Sequence, residues 1–395
     1  MKKEVMFIMI QLTKKQQEGI EIAKKRYQMK EAYTCIAGYA GTGKSTLVKF
    51  LISELGIENK YIAYACFTGK AALVLQQKGQ DAVTLHKLLY KSYKKKDGTF
   101  AHIPKEELDF PYKLIVIDEV SMCPKYIWEQ ALKHDVHIIA LGDPFQLPPI
   151  GEDNGILANP HIFLDEVMRQ ALESDIIKLS MDIRAGKPLQ LMNGNDVKVI
   201  DKSQVVSGMY TWADQIICGK NATRRMVNNQ MRTLLGYGAE PQDGDKIICL
   251  KNYWDTSNEC GDPLINGMIG TLVNPKIGTD QGVLGRPMKA DFLPEFADET
   301  APFDFAMRDL DMDYKLMTQG NPTFARDAKP IFRNGKKLPF PMEFDYGYCI
   351  TCHKSQGSSW PKVLLFEEFL NRETHQRWLY TAITRAEQKL VIVKA

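Results

Sequence analysis

The sequence contains no apolar run long enough to cross a membrane and almost no bias of charge. The apolar stretch at residues 5–10 stops at Gln11 and precedes no small-residue cleavage site, which argues against both a bilayer span and a secretion signal. Lys and Arg number 51 and Asp and Glu number 48, giving a net charge of +3. The net charge therefore does not indicate which partners the protein binds, and any basic surface that binds nucleic acid must be local. We expect a cytoplasmic protein with no membrane partner.

Disulfide and zinc patterns are also lacking. The eight cysteines are mostly scattered singly within apolar runs, as buried reduced thiols are. Residues 349–353, Cys-Ile-Thr-Cys-His, match the short pattern of c-type haem attachment, but neither an export signal nor a haem fold accompanies them. No second C-x-x-C completes a zinc site. Internal repeats and low-complexity tracts are absent as well, which excludes solenoid and fibrous folds.

The chain has 395 residues, of which 44% are hydrophobic and 25% charged, so two or three globular domains are expected. Apolar β-rich runs at residues 32–38, 61–67, 114–118 and 137–142 alternate with helical patterns. This alternation is typical of a parallel, doubly wound α/β sheet. Residues 114–117, Leu-Ile-Val-Ile, lack polar alternation and predict a central strand buried on both faces. A second set of runs, from residue 197 to 218 and from 363 to 393, predicts a second α/β lobe.

Two segments interrupt this pattern. Between residues 271 and 346, recurrent prolines and short apolar runs predict a small β-rich insertion in the second lobe. Residues 91–100 combine a basic arm, Lys94 to Lys96, with an Asp97-Gly98 turn, which predicts a β-hairpin in the first lobe.

A complete G-x-x-x-x-G-K-S motif spans residues 38–45, after a strand-like run and before a helix-like one. In such a phosphate loop the glycines let backbone N–H groups surround phosphate oxygens, the lysine neutralises phosphate charge, and the serine hydroxyl binds Mg²⁺. The residues predicted to bind nucleotide here are Gly38, Gly41, Thr42, Gly43, Lys44, Ser45 and Thr46.

A second apolar run ends in two carboxylates, Asp118 and Glu119. We expect Asp118 to hold Mg²⁺ together with Ser45, and Glu119 to polarise an attacking water. This arrangement favours hydrolysis over phosphoryl transfer to a second substrate.

Further segments, in order along nearly the whole chain, resemble the motifs of superfamily-one helicases of the RecD-like and Dda-like branch. They are residues 12–16 (an adenine-reading element containing Gln16), 65–72 (containing Thr68 and Lys70), 84–86 (Thr84-Leu85-His86), 142–146 (containing Gln146), 166–170 (containing Arg169), 351–357 (Thr351-Cys352-His353-Lys354-Ser355-Gln356-Gly357) and 379–386 (containing Arg385). The signature at 351–357 also accounts for the apparent haem motif.

The resemblance implies two RecA-like parallel-sheet lobes with ATP between them. Lobe 1 would span residues 1–168, with an inserted hairpin at about 88–112. Lobe 2 would comprise residues 169–270 and 346–395, and an SH3-like β-rich insertion would occupy 271–345. Gln146 would sense the γ-phosphate, and Arg169 and Arg385 would reach the phosphoryl group when the lobes close.

The activity implied is 5′-to-3′ translocation on single-stranded DNA and unwinding of forked duplex, driven by ATP and Mg²⁺. We expect a monomer that acts in replication, repair or recombination, with a single-strand-binding protein as a further partner. DNA contacts would come from Thr68, Lys70, Thr84, His86, Thr351 and His353. Phe100, after the hairpin turn, is a candidate wedge that stacks on a base at the fork. Two other functions fit the same residues: an ATP-gated DNA clamp that does not unwind, and an RNA helicase of the same architecture.

Two residues depart from the family pattern. Phe67 replaces the usual proline before the motif threonine, and Trp360 replaces the usual phenylalanine after the signature. We favour packing beneath a strand over base stacking for both.

Overall fold

The computed structural model describes most of the chain. The described residues are 12–77, 79–94, 100–149, 151–168, 171–259, 263–279, 281–295, 302–325, 328–329, 331–333, 336–369 and 371–395. Among them, no helix has the combination of length and apolar character needed to cross a bilayer.

The first sheet has six strands, β1 (Tyr33–Gly38), β2 (Ile62–Cys66), β3 (Ala82–Thr84), β6 (Leu114–Asp118), β7 (Ile138–Gly142) and β8 (Ile162–Leu164). Their order is β3-β2-β6-β7-β1-β8, and every pairing is parallel. The helices of this lobe are α1 (Lys14–Gln28), α2 (Lys44–Leu55), α3 (Gly69–Gln77), α4 (Leu85–Leu89) and α5 (Lys125–Leu132). All strands of a parallel sheet end at the same edge, so the loops that follow them gather there.

The centre of this sheet is strand β6. Its residues Leu114, Ile115 and Ile117 are fully buried and Val116 is 3% exposed, between two layers of the first-lobe core. The absence of polar alternation is thus explained by burial on both faces, and the predicted central strand is confirmed.

The predicted hairpin of the first lobe is also confirmed. Strands β4 (Tyr90–Lys94) and β5 (Phe100–Pro104) pair antiparallel, with Lys94 opposite Phe100. The Asp97-Gly98 turn and the side chain of Phe100 lie outside the described residues.

A second sheet of six strands forms the other lobe. It contains β9 (Met192–Asn193), β10 (Val197–Ile200), β11 (Gln215–Cys218), β21 (Cys349–Thr351), β22 (Trp360–Phe366) and β23 (Ala386–Val393). Its order is β21-β11-β22-β23-β10-β9, parallel except for the β9–β10 pair. The helices are α6 (Asp175–Arg184), α7 (Ser207–Trp212), α8 (Asn221–Leu234), α10 (Cys352–Ser355) and α11 (His375–Ile383). The expectation of two α/β lobes is therefore confirmed.

A third, antiparallel sheet packs on the second lobe. Its strands are β12 (Lys246–Cys249), β15 (Ile269–Ile277), β16 (Met288–Pro294), β17 (Met307–Asp311) and β20 (Phe344–Tyr346), in the order β17-β16-β15-β12-β20. Nearby elements are the pairs β13 (Tyr253–Ser257) with β14 (Pro263–Leu264) and β18 (Phe332–Arg333) with β19 (Lys336–Lys337), and helix α9 (Tyr314–Gln319).

The third sheet thus includes strand β12, which lies before residue 271, the position at which composition predicts the insertion to begin. Strand β12 is a short apolar run without proline, so composition alone does not separate it from the strands of the second lobe. Its residue Ile247 shares one core with Ile216 of the second sheet and Phe292 of the third. The domain boundaries and the SH3-like assignment remain predictions.

Gly270 provides a test of this third sheet. A Cβ at this position would lie 2.2 Å from the backbone oxygen of Leu293 and 2.8 Å from the ring of Phe292. We expect Gly270→Ala to lower the free energy of unfolding by about 1–3 kcal/mol, because neither the paired strand nor the buried ring can yield without strain. Scanning calorimetry should show a lower unfolding temperature.

The matched control is Gly208→Ala, in helix α7, where nothing lies within 4 Å of the added Cβ. That variant should keep the wild-type unfolding temperature. Equal unfolding temperatures for the two alanine variants would contradict the close strand contact at Gly270.

Candidate functional site

Three loops carrying predicted catalytic residues meet at one edge of the first sheet. The register pairs Ala37 of β1 with Gly142 of β7, and Ala140 of β7 with Ile117 of β6. The loops after β1, β6 and β7 are therefore neighbours. Lys44 begins the helix after the first of these loops, Asp118 and Glu119 lie where β6 meets the second, and Gln146 lies on the third.

The phosphate loop turns sharply before helix α2. Gly43 is the N-cap of that helix in the left-handed region, with φ of 78°, which favours glycine, and no side chain caps the helix there. The first-turn N–H groups of Lys44, Ser45 and Thr46 thus form the kind of helix N-terminus that binds anions. Lys44 Nζ donates to the carbonyl oxygens of Gly38 at 2.7 Å and Tyr39 at 3.1 Å, so the ammonium group folds back over the loop.

The adjacent acids lie in a constrained turn. Asp118 ends strand β6, and its Oδ1 accepts a hydrogen bond from the backbone N–H of Glu119 at 2.8 Å. Glu119 has φ of 53°, a left-handed conformation that costs a residue with a side chain about 1–3 kcal/mol. Such strain is concentrated at functional sites and requires support from the surrounding fold.

The loop after β7 contributes two buried polar side chains. Asp143 is 1% exposed, and burial raises the pKa of its carboxyl, while the nearby Lys44 charge and a hydrogen bond from Tyr380 oppose that rise. Gln146 is 6% exposed, and among the described residues no group donates to its buried Oε1. A buried acceptor without a donor is costly, and it fits a site that a ligand or its water completes.

Gln16 lies against the same loop. It is 1% exposed, its Oε1 accepts from the backbone N–H of Thr13 at 3.0 Å, and its Nε2 donates to the carbonyl of Thr42 at 3.2 Å. The side chain therefore braces the start of α1 against the phosphate loop. Its predicted contact with adenine remains a prediction.

The predicted metal ligands lie at the same edge of the sheet, Ser45 in the first turn of α2 and Asp118 at the end of β6. Among the described residues, no group of three or more His, Cys, Asp or Glu side chains is arranged to hold a metal ion. A hydroxyl and one carboxylate nevertheless fit Mg²⁺, which keeps several waters and takes further ligands from phosphates.

The second lobe contacts the phosphate loop through residues that the sequence interpretation missed. The hydroxyl of Tyr380, on α11, accepts from the N–H of Ala40 at 2.9 Å and donates to Asp143 Oδ2 at 2.5 Å. The guanidinium of Arg184, at the end of α6, lies 3.4 Å from the centre of the Tyr39 ring. Tyr380 stands within the motif at residues 379–386, but only Arg385 was taken from it. Arg184 belongs to no motif, so no sequence signal marks it.

Other second-lobe contacts reach the loop that follows β7. Arg377 donates to the carbonyls of Gln146 at 3.1 Å and Pro144 at 2.9 Å. The backbone of Leu147 accepts from Gln356 at 3.1 Å and donates to Thr381 at 3.0 Å. The predicted catalytic residue Gln146 is thus held between the two lobes.

Of the two predicted arginines, Arg385 lies in the described part of the chain. Arg385 is 5% exposed and donates to the carbonyls of Thr381 and Ser358, each at 3.1 Å, so in this structure it bonds within its own lobe. Arg169 lies outside the described residues. Its neighbour Met168 donates a backbone hydrogen bond to Gly41 O at 2.9 Å, which brings this segment to the phosphate loop.

A separate cavity of about 890 Å³ lies where both lobes and the third sheet meet. It is lined by the predicted DNA-binding residues Thr68, Thr351 and His353. Its wall also includes side chains that the sequence interpretation did not select, Tyr126, Arg224, Arg225, Lys251 and Lys354. Among these, Arg224 pairs with Asp345 at 2.8 Å and Lys251 with Glu343 at 2.6 Å. Desolvation lowers the pKa of both His353 and Lys354.

The other predicted DNA contacts lie away from the cavity lining or outside the described side chains. Thr84 caps helix α4 by accepting from the N–H of Lys87 at 3.1 Å, and the ring of His86 lies 5.8 Å from that of Phe67, a cavity residue. Nothing is described of the side chains of Lys70 and Phe100. Phe67 is half-buried against the first-lobe core, and Trp360 is 6% exposed within the second-lobe core.

The C-x-x-C-H segment is part of the second-lobe core. Cys349 and Cys352 are fully buried, and burial raises the pKa of the Cys352 thiol to about 12. Neither thiol is accessible for covalent attachment of haem.

Comparison with known proteins agrees with this geometry. Residues 11–204 match the family model described as an AAA domain, and residues 346–393 match the UvrD-like helicase C-terminal domain. The ATP-dependent RecD2 DNA helicase of Deinococcus radiodurans is 24% identical over 390 residues, covering 90% of this chain and 46% of that protein. The ATP-dependent DNA helicase dda of Enterobacteria phage T4 is 29% identical over 189 residues, covering 45% of this chain and 43% of that protein.

In three dimensions, the chain resembles the Pif1 helicase from Bacteroides crystallised with ADP-AlF3 and ssDNA. The TM-score is 0.54 at 17% identity, covering 98% of this chain and 92% of that one, which establishes a common fold. The chain spans less than half the length of the curated relatives described above. In its matched family models, its curated relatives and its fold, this chain is therefore similar to the RecD- and Pif1-like superfamily-one helicases.

Proposed function

We propose that this protein is an ATP-dependent DNA helicase that moves 5′-to-3′ along single-stranded DNA and unwinds forked duplex. The observation that carries this proposal is that one lobe contributes to two separate sites. The second lobe lines the 890 Å³ cavity through Thr351 and His353, and it contacts the phosphate loop through Tyr380. A displacement of this lobe would change both sites at once, which is what a motor requires.

The nucleotide would bind at the edge of the first sheet. Bound Mg²⁺-ATP supplies the phosphoanhydride bond whose hydrolysis drives movement. Lys44 would exchange its bonds to loop carbonyls for phosphate oxygens, with the N–H groups at the start of α2 around them. Ser45 and Asp118 would hold the metal, and Glu119 would orient and deprotonate the attacking water. Gln146 Oε1, to which no group of the described residues donates, would accept from that water.

Cations of the second lobe would neutralise negative charge on the transferring phosphoryl group. Arg385 carries more N–H donors than its bonds to Thr381 and Ser358 use, so it can remain anchored and still reach an anion. Arg169 is the second candidate, since its neighbour Met168 bonds to the loop. Arginines that act in this way contribute about 10³ to 10⁵ in rate.

Single-stranded DNA would occupy the cavity. Arg225 and Lys354 supply positive charge along its wall, beside the ion-paired Arg224 and Lys251. Thr68 and Thr351 line it from opposite lobes. The RecD2 and dda relatives are named as DNA helicases, and the Bacteroides Pif1 structure contains ssDNA, which supports DNA as the substrate here. We further propose that the protein acts as a monomer in replication, repair or recombination and meets a single-strand-binding protein there.

Duplexes with a single-stranded tail on one strand test the proposal directly. With ATP and Mg²⁺, the protein should separate a duplex carrying a 5′ tail and leave the matched 3′-tailed duplex paired, because movement has one direction. Strand separation is measured by the fluorescence of a labelled strand. ATP hydrolysis with both duplexes left paired would favour the clamp, whereas unwinding and ATPase stimulation by RNA alone would favour the RNA helicase.

Lys44→Ala tests the phosphate loop. We expect DNA-stimulated ATPase to fall by at least about 100-fold, because the charge that stabilises the transferring phosphoryl group is lost. The circular dichroism spectrum should be unchanged, since Lys44 is not a core residue. The control is Lys49→Ala, on the exposed face of the same helix, which should keep wild-type turnover. Normal turnover in Lys44→Ala would exclude the proposed site.

Arg225→Ala tests the cavity as the DNA site. The affinity for a poly-dT oligonucleotide should fall, and the slope of log K against log salt should become shallower by about 0.7, the value expected for one lost phosphate contact on a single strand. Lys198→Ala, an exposed lysine outside the cavity lining, serves as the charge-matched control. If both variants changed affinity and slope equally, the effect would be one of overall charge, and the cavity would lose its assignment.

A further inference from the structure

Tyr380 is the residue through which the second lobe touches both the phosphate loop and the loop after β7. Its ring is fully buried, packing edge-on against Phe145 with ring centres 5.2 Å apart. Its hydroxyl is used in both directions, accepting from Ala40 N–H and donating to Asp143 Oδ2. One oxygen atom therefore joins three elements of two lobes.

Loss of this hydroxyl would be costly, because water cannot easily take its place beside the buried groups that it bonds. Asp143 is 1% exposed, and its other oxygen, Oδ1, is used by the backbone N–H of Phe145 at 2.9 Å. Removing the hydroxyl would leave a buried carboxylate oxygen and a backbone donor without partners, the most expensive form of hydrogen-bond loss.

The same helix is tied to the cavity. Cys352, the first residue of α10, donates through its thiol to the carbonyl of Trp378 at 3.6 Å, two residues before Tyr380 on α11. The neighbouring His353 lines the cavity. A continuous path of bonds thus runs from the cavity wall through α10 and α11 to the phosphate loop.

We propose that Tyr380 is a positioning residue that transmits occupancy of the cavity to the nucleotide site, by holding Asp143 and the phosphate loop at a set distance from α11. The inference rests on the proposed function, because it assigns the route of DNA-stimulated hydrolysis. Arg184 supports the same face of the loop by stacking on Tyr39, whereas the hydrogen bonds that Asp143 accepts come from Phe145 and Tyr380.

The test is Tyr380→Phe, which removes the hydroxyl and keeps the ring. The matched control is Tyr348→Phe. Its hydroxyl also donates to a buried aspartate, Asp245, at 3.0 Å, but it lies in the core shared by the second and third sheets. Steady-state ATPase is measured with and without a poly-dT oligonucleotide, together with the Kd for that oligonucleotide and the unfolding temperature of each variant.

We expect Tyr380→Phe to lower kcat with DNA by about tenfold, the scale of a hydrogen bond to a charged group. The KM for ATP and the oligonucleotide Kd should change by less than about twofold, because a positioning contact acts on the reacting geometry rather than on binding. Tyr348→Phe should keep wild-type kcat even if its unfolding temperature falls. Equal losses of kcat in the two variants, or wild-type DNA stimulation in Tyr380→Phe, would overturn the proposal.

A double-mutant cycle identifies the route. If Tyr380 acts through Asp143, the variant Tyr380→Phe/Asp143→Asn should be no slower than Asp143→Asn alone, whereas multiplied losses would exclude that route. Thr381→Val, which removes the neighbouring bond to Leu147 N–H, provides a second variant at the same interface if Tyr380→Phe does not fold. A wild-type protein without DNA-stimulated ATPase would instead refute the proposed function, so the two failures are distinguishable.

Discussion

Parallel strand pairing is the constraint on which the candidate site depends. Because β1, β6 and β7 are adjacent and parallel, their carboxyl ends must open onto the same edge of the sheet. Gly38, Asp118 and Gly142 end these strands, so a phosphate loop, a pair of acids and a glutamine-bearing loop are forced together although they are far apart in sequence. The burial of the strands keeps this edge rigid, and the left-handed Glu119 can persist there.

The second lobe adds what one sheet cannot provide. A site built on one lobe alone could bind nucleotide without affecting any other site. Here α11 contacts the first lobe through Tyr380 and Thr381, and a hydrogen bond from the Cys352 thiol connects it to helix α10, which carries His353. The hydrogen bonds of Tyr380 and Thr381 to the first lobe are 2.5 to 3.0 Å long and both side chains are fully buried, so a shift of one lobe cannot be absorbed by solvent. This packing would be the physical basis for the proposed link between nucleotide hydrolysis and DNA binding in the cavity.

The third sheet shapes the other side of that cavity. It shares a core with the second lobe through residues such as Ile247 and Phe292. Its strand β20 supplies Asp345 to the cavity wall, and the residue before that strand supplies Glu343. These acids neutralise Lys251 and Arg224, so the cavity is less basic than its count of cations suggests. We infer that the ion pairs hold long side chains in place, while Arg225 and Lys354 supply charge toward a ligand.

The sequence by itself predicted the elements and the candidate chemistry. Apolar runs without alternation identified β6, the glycine spacing indicated the phosphate loop, and the order of motifs indicated the resemblance to superfamily-one helicases, because each of these signals is local. The tertiary structure decided everything that depends on partners distant in the chain. Strand β12 joined the third sheet because its pairing partners lie further along the chain, at Ile269–Ile277 and Phe344–Tyr346. Tyr380 and Arg184 became part of the site only because folding brought α11 and α6 onto the phosphate loop, a proximity that no spacing of residues encodes.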